Sequence, residues 1–198
     1  RTGQEQLLHG SLFGAVPLFA GTALISAIAM FVAGPVGLLS AIYLAEYASA
    51  GVRGVVKPLL EILAGVPTVI YGFFAALIVA PMIRDGGAAA GLDVSSESAL
   101  AAGLVMGVMI IPFVSSLADD MITAVPNAMR DGSFGLGATR SETIRKVVLP
   151  AAIGGITSGC MLAVARAAGE TAPLLFTIGV TTRFNPNLFV GANTALAP

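Results

Sequence analysis

Long apolar runs separated by short polar stretches dominate the pattern along this chain. The first runs from about Val16 to Tyr47 and the second from about Pro58 to Ile83. The third covers about Ala99 to Leu117 and the fourth about Val147 to Ala168. Each is long enough to cross a hydrocarbon layer of about 30 Å as a helix. Backbone polar groups in lipid must be satisfied within the segment, and the alternation a membrane barrel needs is missing, so these spans are predicted to be helices. The first is over-long and contains Ala33-Gly34-Pro35, which predicts a kink or a break near Pro35. Gly65, Pro67, Thr68 and Gly72 form a small-residue stretch in the second. Tight helix packing and a helix break that bares backbone are both compatible with it.

The stretch 126–150, "PNAMRDGSFGLGATRSETIRKVVLP", is polar and basic and lies between two spans. It predicts two short helices, Asn127 to Leu136 and Ser141 onward, with Gly137 as the turn. Ser141 is the expected N-cap, with no Glu at its box position. Pro150 would fall just inside the next span. On the residues alone, an ordinary cytoplasmic loop fits as well.

Composition agrees with the pattern. Of 198 residues, 56% are hydrophobic and 11% charged, where soluble domains carry about 25% charged residues. The mean hydropathy is +0.91. The chain therefore reads as an all-α integral membrane protein. A net charge of −1 offers no bulk attraction to nucleic acid. A lone Cys160 reads as a packing residue, and a single histidine, His9, with no Cys/His cluster speaks against zinc. The first residue is Arg1 rather than Met, which suggests a trimmed chain.

Loop charges predict the orientation. Segments 48–57 and 119–146 hold Arg53, Lys57, Arg130, Arg140, Arg145 and Lys146, against Arg1, Arg84 and Arg183 on the other side. The richer set marks the cytoplasmic side. Residues 1–14 and 181–198 then become external segments, the latter cut short. The 84–98 stretch becomes an external loop.

Within the fourth span, "ARAAGET" places Arg166 and Glu170 at i and i+4. Charges in a membrane helix are costly and are functional candidates by default. Two readings stand. The pair could satisfy itself near the outer interface, with Arg166 snorkelling. Alternatively, Arg166 could offer its planar fork to a tetrahedral oxyanion, with Glu170 holding it and keeping binding transient. Glu61 could be an internal hydrogen-bonding residue or part of a gate. Glu46 reads as interfacial, and Asp119 and Asp120 as charges of the cytoplasmic face.

Two sets of motifs carry a resemblance. Asp131-Gly132-Ser133, then Gly137, Val147 and Leu149-Pro150, keep the spacing of the cytoplasmic signature of importer-type ABC permeases, E-A-A, three residues, G, nine residues, I, one residue, L-P. The E-A-A itself is replaced by D-G-S. "LLEILAGVPTVIYGFF" and "ARAAGETAPLLF" resemble the membrane subunits of bacterial phosphate importers. The chain is thus identified as a Pst-type permease of the binding-protein-dependent transport inner-membrane family. It is PstC-like through most of its length, with a PstA-like GETAPLLF stretch. The likeness covers about residues 15–180.

The resemblance implies a type I (MetI-like) importer core with about four of an expected six transmembrane helices. In such a core 15–180 would be the permease domain, and 126–150 would dock on an ATP-hydrolysing subunit. Asp131, Gly132, Ser133, Phe134, Gly137, Arg140, Leu149 and Pro150 would serve that coupling, with Phe134 and Leu136 as apolar anchors. Arg166, Glu170 and Thr171 would line the phosphate path. The chain itself would be no enzyme and bind no cofactor. ATP-Mg would sit on a partner dimer, since no G-x-x-x-x-G-K-[ST] loop occurs here. A second, different permease and a periplasmic phosphate-binding protein would complete a multi-pass assembly of the bacterial inner membrane. Another oxyanion such as molybdate or sulfate, or an amino acid, is the alternative cargo. An intramembrane hydrolase would need a histidine near Ser40, Ser115 or Ser116, and none is there. A secondary transporter would leave the coupling segment without a role.

Overall fold

The computed structural model describes residues 16–89 and 99–170. Helix α1 is Val16–Ile42 and ends in a π-helical turn, Tyr43–Tyr47. Helix α2 is Ala50–Ala64. Helix α3, Thr68–Phe74, passes through a π-turn at Ala75–Val79 into α4, Ala80–Ala89. Helices α5, Ala99–Thr123, and α6, Asn127–Gly135, follow. Helix α7, Arg140–Thr143, runs through a π-turn at Ile144–Val148 into α8, Leu149–Gly169. Four continuous helices among the described residues are long and apolar enough to cross a membrane: Phe19–Tyr47, Thr68–Ala89, Ala99–Thr123 and Arg140–Gly169.

Three boundaries differ from the sequence expectation, each for a physical reason. Pro35 neither breaks nor ends α1. It costs one hydrogen bond, to the Phe31 carbonyl, on a face where Phe31 and Pro35 both point outward. The second apolar run is two helices. Helix α2 stops at Ala64, Gly65 closes it by donating to the Glu61 and Ile62 carbonyls, and Pro67 precedes Thr68. A residue before proline is pushed out of helical geometry, so Val66 marks the stop. The helical hydrogen bonding then continues to Ala89, past the expected end at Ile83.

Two of the π-turns sit directly before an X-Pro pair. Ala80 donates to the Ala75 carbonyl five residues back, and Pro81 follows. Leu149 donates to Ile144, and Pro150 follows. A proline ring collides with the carbonyl four residues earlier in a regular helix. Widening that turn by one residue moves the carbonyl aside without ending the helix.

The framework divides into two units. One comprises Arg1–Ala29, Pro67–Met106 and Ala167–Pro198, and the other Met30–Val66 and Gly107–Arg166. In the first, Ile25, Ala29, Ala75, Ala99, Ala102 and Met106 are buried. In the second, Ala41, Ala118, Ile122, Val125, Val148, Ala152 and Ile156 form one core, bordered by Leu38, Leu149 and Cys160. Alanines predominate in the first and share the second with isoleucines and valines, and such small side chains let helices approach closely in an apolar medium. Large apolar side chains point outward instead, Phe31 with 82% of its surface exposed. That is the inverse of a soluble domain, and it suits lipid or a partner subunit.

Gly37 marks the tightest approach of α1 to α5 in the second unit. A Cβ there would lie 2.8 Å from Val114 Cγ1 and 3.3 Å from the Ile111 carbonyl oxygen. Gly37→Leu is expected to lower stability by about 1–3 kcal/mol through overpacking, read as a drop in the thermal unfolding temperature in detergent. Gly34→Leu, where no atom lies within 4 Å of the added Cβ, is the control and should leave it nearly unchanged.

Candidate functional site

At the polar end of the second unit, α5 runs out at Thr123 and Pro126 opens α6. Helix α6 carries Asp131, Gly132, Ser133 and Phe134. It closes with a Schellman arrangement: Ala138 N–H donates to the Ser133 carbonyl (3.2 Å) and Gly137 N–H to Phe134 (2.9 Å). Gly137 sits at φ +85°, a left-handed conformation that disfavours any side chain. The predicted turn residue is thus where the turn is.

The second short helix begins one step earlier than expected. Thr139, not Ser141, is the N-cap, and Glu142 fills the box position. Thr139 Oγ1 accepts from Glu142 N–H at 3.4 Å, and Glu142 Oε2 accepts from Thr139 N–H at 3.0 Å. Read from Thr139 rather than Ser141, the sequence does contain the T-x-x-E box. Ser133 Oγ and the buried Thr143 Oγ1, 3.0 Å apart, tie α6 to α7.

The turn leaves apolar side chains outside. Phe134 is exposed, and Leu136 has 92% of its surface free. Asp131 is also exposed. Arg140, expected at the rim of a docking face, holds its guanidinium 5.0 Å over the Tyr47 ring. Leu149 packs against the unit's core, and Pro150 faces outward after its π-turn.

Buried ion pairs hold this end together, on residues the sequence reading had assigned to ordinary interface charges. Asp119, only 1% exposed, accepts from Arg53 Nη2 at 2.8 Å and Lys57 Nζ at 3.0 Å. Arg53 also donates to Thr123 Oγ1 at 2.9 Å, and Lys57 bonds Asp120 as well. That bond to Asp120 comes first among the contacts that hold the Lys57 ammonium above its ordinary pKa. Glu46, 9% exposed, accepts from Arg130 Nη2 at 2.9 Å. Segments 48–57 and 119–146 were expected on one side from their charge, and these pairs bring them to one end. The legible signal was the i,i+4 pair Arg53 and Lys57 on α2 facing carboxylates at the end of an apolar run.

Asp119 Oδ1 and Ser115 Oγ, one turn apart on α5, are buried with no hydrogen-bond partner among the described residues.

Arg166 lies elsewhere on α8. Its guanidinium sits 5.4 Å over the Phe113 ring, and Nη2 donates to the Ala64 carbonyl at 3.5 Å. Phe113 is the fifteenth residue of the 25-residue helix Ala99–Thr123. Arg166 therefore sits level with the middle of that helix. Ala64 is the last residue of α2, so the cation meets the negative end of a helix dipole. Of the two readings of the Gly65–Thr68 stretch, the break is the one found, and Arg166 touches it. Glu61, one turn beyond Lys57, is exposed on α2. Helix α8 ends at Gly169, and Glu170 follows with its N–H on the Ala167 carbonyl at 3.4 Å. Thr171, the external segments 1–14 and 181–198 and residues 90–98 lie outside the described residues.

Residues 33–190 match the model of the binding-protein-dependent transport system inner membrane component family. The chain belongs to this family. It is accordingly a multi-pass inner-membrane transport component with an importer-permease fold. An inward-facing structure of the MetNI methionine ABC transporter matches with a TM-score of 0.54 and 21% identity, over 83% of this permease and 74% of that chain. Similar sequences include the probable ABC transporter permease protein YqgH of Bacillus subtilis, 34% identical over 92% of this chain. The phosphate transport system permease protein PstC of Mesorhizobium japonicum is 33% identical over 93% of it. PstA 1 of Mycobacterium tuberculosis is 33% identical over 89%. The chain spans 58%, 61% and 55% of the lengths of these three relatives.

Asp119→Ala would leave Arg53 and Lys57 without their shared buried counter-ion. It should lower stability by about 3–5 kcal/mol, whereas Asp120→Ala, at the exposed rim, should cost less than about 1 kcal/mol. Thermal unfolding of the two variants in detergent checks the contrast.

Proposed function

We propose that this permease is a membrane subunit of an ATP-driven phosphate importer, of the PstC-like type, and that it catalyses no reaction itself. The observation that carries this is Arg166 at mid-span against Phe113 and the Ala64 carbonyl. A cation at that depth costs several kcal/mol and is retained where it serves an anion or a conduction path. Its fork suits a tetrahedral oxyanion. Glu170, four residues on, limits how tightly an anion is held, and Thr171 adds a hydroxyl at the same point of the chain. Phosphate, rather than another oxyanion, is favoured by the PstC and PstA relatives, which are phosphate transport system permease proteins.

Coupling is assigned to α6 and the turn after it. Phe134 and Leu136 enter a groove on an ATP-binding partner dimer that carries ATP-Mg. Asp131, Gly132, Ser133 and Gly137 shape the docking turn, Arg140 borders it, and Leu149 and Pro150 join it to α8. Helix-in-groove docking with exposed apolar anchors supports this assignment. A second, different permease completes the path, and a periplasmic phosphate-binding protein delivers cargo. The domain assignment follows: 15–180 as permease, with 126–150 as its coupling segment.

The test uses proteoliposomes holding the full-length protein, its partner permease, the ATPase and the binding protein. ATP-dependent phosphate uptake, undiminished by sulfate or molybdate, is the expected result. Uptake of a different anion would discard the phosphate assignment. Arg166→Gln should cut uptake about ten- to a hundredfold through loss of charge-assisted hydrogen bonds, with assembly on the ATPase intact. Unaltered uptake in that variant would remove Arg166 from the path. Gly137→Leu should block docking or separate ATP hydrolysis from transport, and normal co-purification with normal coupling would count against the docking turn.

A further inference from the structure

Arg130 stands immediately before Asp131 and is the side chain on α6 with the most buried polar partners. It donates from Nη2 to Glu46 Oε1 at 2.9 Å, at the end of α1. The same nitrogen donates to the Ile122 carbonyl at 2.9 Å, and Nη1 donates to the Val125 carbonyl. Asn127 Oδ1 accepts at 3.4 Å. Ile122 and Val125 belong to the last turn of α5 and the residues after it, where carbonyls lack partners within the helix. One planar cation thus closes the end of α5, meets the carboxylate at the end of α1, and anchors the first turn of α6. Arg130 and Glu46 are both largely buried, with 15% and 9% of their side-chain surface exposed. The desolvated pair tolerates little displacement, because moving either partner alone leaves a buried charge uncompensated.

Other ties of α6 are weaker. Ser133 reaches Thr143 through one neutral hydroxyl contact, and Met129, Phe134 and Leu136 are exposed. Beside the first turn of α6, a cavity lined by Met121, Met129, Ala151 and Gly155 lies toward the start of α8. Apolar contacts around a cavity yield more readily than a buried fork on three acceptors.

We propose that Arg130, through Glu46 and the Ile122 and Val125 carbonyls, is the positioning residue that makes α6 move as one body with α1 and α5. Displacement of α6 by a docked partner would then reach these two spans first. This rests on the reading of α6 as the docking helix.

Two measurements on the assembled full-length complex test it. In proteoliposomes, ATP hydrolysis and phosphate uptake are measured together for wild type, Glu46→Gln, Arg130→Gln and Arg130→Lys. Glu46→Gln keeps the shape and an acceptor oxygen but removes the charge. It should retain assembly and ATP hydrolysis while uptake per ATP falls about tenfold, within the range produced by substitutions that act on coupling. Arg130→Lys keeps the charge but reaches fewer acceptors and should fall in between. Wild-type uptake per ATP in Glu46→Gln and Arg130→Gln would overturn the proposal. So would a loss of assembly with uptake and hydrolysis falling in proportion, since that marks a merely structural contact.

The second measurement is independent of cargo. Spin labels on Leu39→Cys of α1 and Ala128→Cys of α6, with Cys160→Ser and other cysteines replaced, report their separation with and without ATP and vanadate. The separation should stay constant in wild type and change in Glu46→Gln. A wild-type separation that changes on nucleotide binding overturns the proposal, whatever anion is carried. If phosphate is not taken up while this separation stays locked, the cargo reading fails and the lock stands.

Discussion

A carboxylate stripped of water needs a cation within reach, and that requirement organises the polar end of this permease. Asp119 and Glu46 both lie in the terminal turns of apolar helices, and each draws a cation from a different segment. Arg53 and Lys57 come from α2, and Arg130 comes from α6. The core beside them, built of Ala, Ile and Val, offers close packing but little directional preference. The ion pairs supply the direction. They fix which face of α2 turns toward α5 and where α6 leaves the bundle, because an alternative rotation of either helix would strand a buried charge. Surface pairs such as Arg84–Asp85, with more than half of each side chain exposed, exert no such control.

The same physics acts at mid-span with a different partner. Arg166 sits where α2, α5 and α8 meet within the second unit. It meets an aromatic face and the end of a helix. Both are partial negative charges, weaker than a formal anion. Each offsets part of the cost of holding a guanidinium away from water. The broken second run is what makes that environment. Without Gly65 and Pro67, α2 would continue through the level of Arg166 and present side chains there instead of backbone.

Much of this was readable from residues alone, and the failures have definite causes. The four spans follow from apolar length, and the turn at Gly137 from glycine placement. The break after Ala64 was left open because Gly65 and Pro67 also suit close helix packing, and periodicity does not separate the two. The N-cap was misplaced by two residues because Ser141 stands nearer the apolar run. Only the box partner Glu142 singles out Thr139. The contact of Arg166 with Phe113 and the Ala64 carbonyl could not be read, because the packing of α8 on α5 and α2 is a tertiary property. The buried pairs were missed because partner choice between segments 62 to 84 residues apart is a tertiary property.

The π-turn at Ile144–Val148 has a consequence for angular phase. An α-helix advances about 100° per residue, so one extra residue in a turn rotates everything beyond it by about that amount. Thr143, which meets Ser133 across the turn between α6 and α7, and Arg166, which meets Phe113, belong to one unbroken rod. Their relative azimuth is set by this single widened turn. Removing one residue between 144 and 148 would straighten the hydrogen bonding, yet it would swing Arg166 off Phe113 or Thr143 off Ser133. Pro150, by demanding the wider turn, acts as the indexing pin between the two ends of the rod.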